Sequence, residues 1–275
     1  MDIRCIALDL DRTTLDGHGK LSAETRRALL YAIQRGVHIV IASGRSISAL
    51  PEDVVAVPGI EYAITSNGAA VYHLPTKTCL RRYTLTPQSA LDVLDLTKGA
   101  PLAYEAFVDG KSYADADYVQ DPVAYGSSPN SIPYVQKTRQ PVADMPEFIR
   151  SHADALDSLD LVIDSAELKQ DLWNTLRDQV PDLYITSSVR QLLELSHREA
   201  GKHSGVRFIA NHLGISLQQC AAFGDGDNDA DMLRCVGCGI AVENASPACI
   251  AAADMVTLHH AKNGVALGIY ELLKI

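Results

Sequence analysis

Short runs rich in apolar residues, without polar alternation, recur at both ends of the chain, and each is followed at once by polar or turn residues. The runs are 3–8 before Asp9, 37–42 before Ser43-Gly44, 62–65 before Ser66-Asn67-Gly68, 220–223 before Gly224-Asp225-Gly226, and 239–242 before Glu243-Asn244. Such runs are typical of strands that are covered on both faces. The pattern therefore predicts buried strands in a parallel sheet.

Segments with helical periodicity lie between these runs. Residues 23–34 carry an apolar stripe, with Ser22 as a plausible N-cap and Gly36 just beyond the end. Residues 202–213 show the same spacing and are followed by Gly214. Alternation of strands and helices predicts an α/β fold with a doubly wound parallel sheet, in which ligands bind at the carboxyl ends of the strands.

The middle of the chain follows a different pattern. From residue 83 to 190, strand-like and helical pieces mix with a polar, proline-bounded loop at 126–133. This predicts an inserted α+β domain between two parts of a catalytic core, 1–82 and 191–275. The parallel pattern is expected to resume near Leu192.

Composition narrows the classes of function. The chain has 275 residues, is 47% hydrophobic and carries a net charge of −10. An acidic surface repels phosphodiester backbones, so we expect no nucleic-acid partner. No apolar run reaches the roughly 18 residues that span a bilayer, and residues 1–8 lack a signal-peptide pattern, so we expect a cytoplasmic protein without membrane association.

The six cysteines are expected to be free thiols in that compartment. Cys235 and Cys238 form a single CxxC pair. A structural zinc site normally needs a second pair of ligands, so packing is the simpler interpretation.

Two carboxylates, Asp9 and Asp11, follow the first apolar run. At positions i and i+2 beyond a strand end they can converge on one point. One can bind a hard cation and attack an electrophile, and the other can pass a proton to a leaving oxygen. The alternative is an aspartate-rich turn.

A second acidic segment, Gly224 to Asp229, follows a later apolar run. Clustered carboxylates repel one another unless a cation neutralises them, and oxygen ligands favour Mg²⁺ or Ca²⁺. An EF-hand loop would end in glutamate at its twelfth position, which counted from Asp225 is Val236. A plain acidic turn stays open as an alternative.

Two further segments are weak signals by themselves. Ser43-Gly44-Arg45 offers a hydroxyl and backbone N–H groups at a strand end, which can hold a phosphate oxygen. Lys202, at a helix start, can neutralise a phosphoryl group or nearby aspartates, but it can equally be a surface lysine.

The order of these segments resembles the haloacid dehalogenase superfamily of phosphohydrolases, and within it the Cof-type subfamily. The resemblance covers nearly the whole chain. Its segments are LDLDRTTLD at 8–16, IASGR at 41–45, TSNGA at 65–69, GKHSGVRFIANHLGIS at 201–216 and AFGDGDNDADML at 222–233.

The resemblance implies a catalytic centre that uses Mg²⁺. Asp9 would be the nucleophile and a metal ligand. Asp11 would be the general acid/base, with its backbone carbonyl on the metal. Asp225 would complete the metal site, Asp229 would support it from behind, and Lys202 would neutralise the phosphoryl group and Asp9.

The resemblance also implies how substrate is held. Ser43 and Gly44 would hold the phosphoryl group, Asn228 would contact it, and Thr13 would orient the first loop on the substrate. The insert would be a cap of the type called C2. Because the core contacts only the phosphoryl group, we expect substrate choice to depend on the insert.

One residue departs from the family pattern. Arg12 stands where glycine is usual, so the loop must adopt a backbone conformation that a side chain tolerates, or be strained. Because a guanidinium beside a metal ion would be repelled, we expect Arg12 to face substrate or the insert.

These observations predict a Mg²⁺-dependent phosphatase that hydrolyses a small phosphorylated metabolite through an aspartyl-phosphate. A sugar-phosphate mutase of the same superfamily and an inactive ligand-binding member are the alternatives. The resemblance implies hexose phosphates as the first candidate substrates and pyridoxal phosphate as the second. The oligomeric state stays open.

Overall fold

The structure is a computed structural model that describes residues 2–274. It divides into two compact units. The core unit holds the residues up to 44, residues 50–81 and those from 201 onward. The insert unit holds 45–49 and 82–200.

The strands form one sheet in each unit. Their bounds are β1 (Cys5–Leu8), β2 (His38–Ala42), β3 (Ile60–Thr65), β4 (Ala70–His73), β5 (Thr78–Arg82), β6 (Ala103–Val108), β7 (Lys111–Asp115), β8 (Arg139–Val142), β9 (Leu156–Val162), β10 (Leu183–Thr186), β11 (Leu192–His197), β12 (Cys220–Gly224), β13 (Cys238–Val242) and β14 (Met255–Thr257). The core sheet has the order β14-β13-β12-β1-β2-β3-β4-β5, and the insert sheet has the order β10-β11-β9-β6-β7-β8.

The helices lie between these strands along the chain. Their bounds are α1 (Ala23–Gln34), α2 (Glu52–Val55), α3 (Pro87–Leu96), α4 (Ala116–Gln120), α5 (Ile132–Thr138), α6 (Met145–Ser151), α7 (Ala166–Gln179), α8 (Lys202–His212), α9 (Ala230–Cys235), α10 (Pro247–Ala252) and α11 (Gly264–Leu272).

The core sheet is parallel from β14 through β3, and β4 then pairs antiparallel with β3. Strand β1 shows why its apolar run is unbroken. Ile6 and Leu8 pack with α1 and α11, whereas Cys5 and Ala7 pack with α8 and α9 on the other face. Both faces are buried, which confirms the predicted doubly wound α/β fold.

Helix α1 has the predicted bounds. The Ser22 hydroxyl accepts a hydrogen bond from the backbone N–H of Thr25, so it satisfies a donor that the first turn would leave unpaired. Helix α8 begins at the predicted residue, directly after Gly201, whose φ is +99°. That backbone conformation favours glycine.

The insert sheet is antiparallel from β10 to β7, and β8 adds in parallel to β7. Helices α3, α6 and α7 cover one face, where Leu94, Ile149 and Leu176 pack against apolar side chains of β6, β9 and β11. The opposite face carries polar side chains among apolar ones, and Tyr118 of α4 and Val135 of α5 pack there against Ala103 and Val162.

The expected return to the parallel pattern near Leu192 is wrong. Strand β11 pairs antiparallel with β9 and β10 in the insert sheet, and the insert unit runs on to residue 200. The physical reason is alternation: Leu193 and Leu195 are buried against the insert's helices, while Glu194 and Ser196 point to the other face.

The polar loop predicted at 126–133 is mostly helical. A short 3₁₀ turn spans Pro129–Ser131, and α5 begins at Ile132. The side chain of Ser128 caps that turn by accepting the Asn130 N–H, and Ser127 is buried beside Tyr118. These residues therefore have structural partners inside the insert.

Candidate active site

The carboxyl ends of the parallel strands carry the polar residues that the sequence singled out. Asp9 follows β1, and its N–H donates to the carbonyl of Phe223 on β12. Ser43 follows β2, and its N–H donates to the carbonyl of Ile64 on β3. Each residue thus extends its strand's pairing by one step, which fixes where its side chain starts.

A buried lysine joins two of the predicted aspartates. Nζ of Lys202 lies 2.7 Å from Oδ1 of Asp9 and 2.7 Å from Oδ1 of Asp229. Lys202 is 1% exposed, so it is no surface lysine. A cation at a helix N-terminus is unfavourable by itself, and these two carboxylates offset both that cost and the cost of burial.

Asp229 also organises the acidic segment before it. Its Oδ2 accepts hydrogen bonds from the backbone N–H groups of Asp225 and Gly226, each at 3.0 Å. Gly224 permits this approach, because a Cβ there would lie 2.4 Å from Cβ of Asp229. Both Asp229 oxygens are therefore engaged in holding the segment and Lys202.

The first loop is tied to both acidic segments by two threonines. Oγ1 of Thr13 donates to Oδ1 of Asp225 at 3.0 Å. Oγ1 of Thr14 donates to the backbone carbonyl of Asp9 at 2.5 Å. Thr13 thus contacts a predicted metal ligand, although the sequence placed it on the substrate.

These acids fit a divalent cation. Across residues 2–274, Asp9, Asp225 and Asp229 form the one group of acidic, histidine or cysteine side chains whose ligand atoms all lie within 4.8 Å of one another. All three are buried, with Lys202 as the one buried cation among them. Three carboxylates facing one ammonium leave excess negative charge, which a hard cation with oxygen ligands would neutralise.

The pKa values of Asp9 and Asp225 reflect the same excess of negative charge. Burial raises the pKa of Asp9 well above its usual range; Lys202 lowers it, but Asp229 and Asp225 raise it further. Burial, and then Asp229, raise the pKa of Asp225 to about 7. A bound cation would favour the charged forms of both groups.

Asp11 is not one of the buried acids of this group. Its residue is exposed, on the loop that follows Asp9. Proton exchange with a leaving group or with water requires access to both, so exposure suits the predicted acid/base role. That role stays a prediction.

Asn67 is a site residue that the sequence analysis missed. Its N–H donates to the carbonyl of Ser43, its carbonyl accepts the N–H of Gly201, and its Oδ1 accepts Nδ2 of Asn228. Ser66 and Asn67 both have positive φ, 47° and 50°. Backbone strain of this kind is concentrated at functional sites. The signal was present, because these residues directly follow an apolar run, as Asp9 and Ser43 do.

Arg12 lies on the first loop, beside Asp225. Its φ is +59°, in the left-handed region where glycine is favoured, so the loop keeps the geometry that glycine would allow. Its Nε lies 3.7 Å from Oδ2 of Asp225, and its backbone carbonyl accepts Nδ2 of Asn244. The guanidinium therefore lies beside a predicted metal carboxylate. The expectation that it faces substrate or the insert stays a prediction.

The CxxC pair contributes no ligand set within the described residues. Sγ of Cys235 donates to the carbonyl of Met232, and Cys238 is buried on β13 in the core. Packing, the simpler interpretation, accounts for both residues.

Comparison with known proteins agrees with this geometry. The sequence profile of the haloacid dehalogenase-like hydrolases matches residues 6–269. Phosphatase YwpJ of Bacillus subtilis (strain 168) is 28% identical over 98% of this chain and 100% of its own. HMP-PP phosphatase of Cronobacter sakazakii is 30% identical over 89% of this chain and 86% of its own. A haloacid dehalogenase-like hydrolase from B. subtilis superimposes with a TM-score of 0.82 at 26% identity, over 98% of this chain and 100% of its own.

The chain belongs to the haloacid dehalogenase-like hydrolases. The predicted family membership is confirmed, and the matches support the expected phosphatase activity. For this hydrolase, no helix within residues 2–274 is long and apolar enough to cross a membrane.

Proposed function

We propose that this hydrolase is a Mg²⁺-dependent phosphatase that acts on a small phosphorylated metabolite through an aspartyl-phosphate on Asp9. The observation that carries the proposal is the bridge from Asp9 through Lys202 to Asp229 beside Asp225. It holds a strand-end carboxylate in a fixed position next to a buried positive charge. A nucleophile for a negatively charged phosphate needs both features.

In the first step, an oxygen of Asp9 attacks phosphorus and the bond from phosphorus to the leaving oxygen breaks. Lys202 stabilises the negative charge that the transferring phosphoryl group carries. Ser43 and Gly44, at the end of β2, offer a hydroxyl and backbone N–H groups to its oxygens. Asp11 protonates the leaving oxygen, so the alcohol product departs neutral.

In the second step, water attacks the aspartyl-phosphate. Asp11, now a carboxylate, accepts a proton from that water. The bond between phosphorus and the Asp9 oxygen breaks, which releases inorganic phosphate and restores the Asp9 carboxylate.

The side chains of Asp9 and Asp225 and the carbonyl of Asp11 would hold Mg²⁺. When bound, it would neutralise charge on the phosphoryl oxygens and on these carboxylates. Asp229 is suited to a supporting role, since its oxygens already accept from Lys202 and from two backbone N–H groups.

The test is a panel of phosphorylated metabolites assayed for inorganic phosphate with Mg²⁺ and with EDTA. We expect phosphate release from some members with Mg²⁺ and loss of release in EDTA. Substrate consumed with no inorganic phosphate, but with an isomeric phosphate ester as product, would establish a mutase instead. Full activity in EDTA would refute the metal requirement.

The panel begins with hexose phosphates and pyridoxal phosphate and includes the diphosphate ester that the C. sakazakii relative's name specifies. Since the catalytic groups contact only the phosphoryl group, the remainder of the substrate must be recognised elsewhere. We assign that recognition to the insert. A cytoplasmic location stays a prediction.

A further inference from the structure

The first loop of the core, residues 10–15, turns through a strained backbone position. Arg12 has a φ of +59° and a ψ of +11°, whereas Asp11 directly before it has a φ of −71° and a ψ of +125°. A side chain is disfavoured in the left-handed region, and such a conformation persists only where the surrounding structure fixes it from several sides. One bond within the loop runs from the Leu15 N–H to the Leu10 carbonyl. Others must come from outside the loop.

Asn244, two residues after β13, supplies the first external bond. Its Nδ2 donates to the backbone carbonyl of Arg12 at 2.9 Å. Its Oδ1 accepts the backbone N–H of His260 at 3.0 Å. One end of the amide contacts an acceptor and the other a donor, so the orientation of the amide is determined by its partners.

His260 supplies the second external bond. Its Nδ1 lies 2.8 Å from the carbonyl oxygen of Leu15. A carbonyl oxygen only accepts, so Nδ1 carries the proton in this contact. The neutral ring protonated on Nδ1 and the charged ring can both make this bond. Asn244 and His260, which are bonded to each other, therefore hold the loop at Arg12 and at Leu15.

The segment that carries Asn244, residues 243–246, is itself anchored in the core. The backbone N–H of Ser246 donates to the carbonyl of Asp225 at 2.8 Å. The side chain of Glu243 accepts the backbone N–H of His259 at 3.2 Å, beside the bond from His260 to Asn244. The first loop is thus tied to the backbone of the second acidic segment through 243–246.

The loop carries two groups of the proposed site on either side of Arg12. Thr13 follows it, and its hydroxyl donates to Asp225. Asp11, the proposed acid/base, precedes it and is exposed. Because the torsions of Arg12 set the angle between these two neighbours, holding the Arg12 carbonyl limits the directions in which the Asp11 side chain can point.

We infer that Asn244 and His260 are positioning residues, which hold the first loop so that Asp11 stays within reach of the leaving oxygen. The inference rests on the proposed phosphatase function and adds two residues to its site. Both residues act through the loop and not by contact with the phosphoryl group. A loss of either bond should therefore weaken proton transfer more than phosphoryl transfer itself.

Two leaving groups separate positioning of Asp11 from a general structural role. p-Nitrophenolate is a weak base that departs without a proton, whereas the alkoxide of an alkyl phosphate needs one from Asp11. With Mg²⁺ present, we expect Asn244→Ala to lower kcat/KM for the best alkyl ester of the panel about tenfold more than kcat/KM for p-nitrophenyl phosphate. Asn211→Ala, the same change at an exposed position on α8, should alter neither value. An equal fall for both esters, or no fall, overturns the inference.

His260 allows a rescue experiment, because the amide of asparagine can place a donor near the position of Nδ1. His260→Ala should lower the same ratio of kcat/KM values, while His260→Asn should keep it close to that of the wild type. The longer amide of His260→Gln should not replace the donor. If His260→Asn behaves like His260→Ala, the bond to Leu15 does not position Asp11.

Amide hydrogen exchange separates this inference from the proposed function. A peptide that covers residues 10–16 reports whether the loop is held, whether or not the protein releases phosphate. We expect faster exchange there in Asn244→Ala than in the wild type or in Asn211→Ala, with unchanged exchange in the strands of the core sheet. Unchanged exchange in the loop overturns the role of Asn244. A wild type that releases no phosphate but shows the expected exchange refutes the phosphatase and supports the hold on the loop.

Discussion

In both the core and the insert, a set of three buried carboxylates lies beside one cation, but the two sets are arranged differently. In the core, Asp9, Asp225 and Asp229 bring ligand atoms within 4.8 Å of one another around Lys202. In the insert, Glu105, Asp160 and Glu194, here called the acidic row, lie directly opposite one another on three neighbouring strands, and Arg139 pairs with Glu105.

The difference follows from sheet geometry. Loops that leave parallel strands at the same edge can turn their side chains towards one point, whereas side chains on a sheet face are held at the spacing of the strands. Convergence suits chemistry on a phosphoryl group, which every phosphate ester shares.

The largest effect should come from the converged cluster. Asp9→Asn keeps the shape of the side chain but removes the nucleophilic charge, so turnover should fall at least ~10³-fold, about 4 kcal/mol of barrier. Inorganic phosphate release with the best substrate of the panel is the measurement, and Asp171→Asn is the control. A variant that keeps near wild-type turnover would exclude the aspartyl-phosphate.

Two other aspartates of the core should separate proton transfer from metal binding. Asp11→Asn should slow turnover roughly 10²-fold or more while sparing Mg²⁺ affinity, because its metal contact is proposed to be through the backbone carbonyl. Asp225→Asn should lose Mg²⁺ affinity. Calorimetric titration of Mg²⁺ into both variants is the test. Equal loss of affinity in the two would mean that the roles are misassigned.

The buried carboxylate of Asp160, in the acidic row, should cost stability. The folded-state pKa of Asp160 is raised, so the folded protein keeps a proton that the unfolded chain releases, and stability is lost as pH rises above about 4, the unfolded pKa. Asp160→Asn removes that loss. At pH 8 the variant should therefore be more stable than the wild type by about 1–3 kcal/mol, with a smaller gain at pH 5.

Urea unfolding at both pH values measures this effect. Asp171→Asn should change stability little at either pH, since its carboxylate is exposed. A loss of stability in Asp160→Asn at pH 8 would show that the charged carboxylate has a partner.

Much of the core could be predicted from the sequence, because its signals are local. An unbroken apolar run followed by aspartate, serine or glycine identifies a buried strand and its functional end without any knowledge of the partner strands. The bounds of α1 follow in the same way from Ser22 and the apolar stripe. The residue types at Asp9, Lys202 and Asp225 then limit the kinds of reaction that the site can catalyse.

The strand pairing of the insert could not be predicted from such local signals. Its acidic row depends on the register of β9 with β6 and β11, strands that are far from it along the chain, and no single segment of sequence specifies that register. Strand β11 was assigned to the core because leucines dominate it, although their alternation with Glu194 and Ser196 was visible. Asn67 was missed because an amide near a strand end is a weaker signal than a carboxylate.

The smallest expected effect is that of Arg12 on Mg²⁺ affinity. Its guanidinium lies 3.7 Å from Asp225 but is half exposed, so solvent screens the pair and its effect on stability should be small. A bound divalent cation would compete with Arg12 for that carboxylate. Arg12→Gly should therefore raise Mg²⁺ affinity by roughly threefold to tenfold at low salt, and less at high salt.

The same substitution should also relieve the left-handed backbone, which costs a side chain about 1 kcal/mol. This gain is partly offset by the greater freedom of glycine in the unfolded chain. Arg12→Ala separates the two causes, since it removes the charge and keeps the strain. If charge governs affinity, titration of Mg²⁺ will show the same gain in both variants; a gain confined to Arg12→Gly would instead assign it to the freed loop.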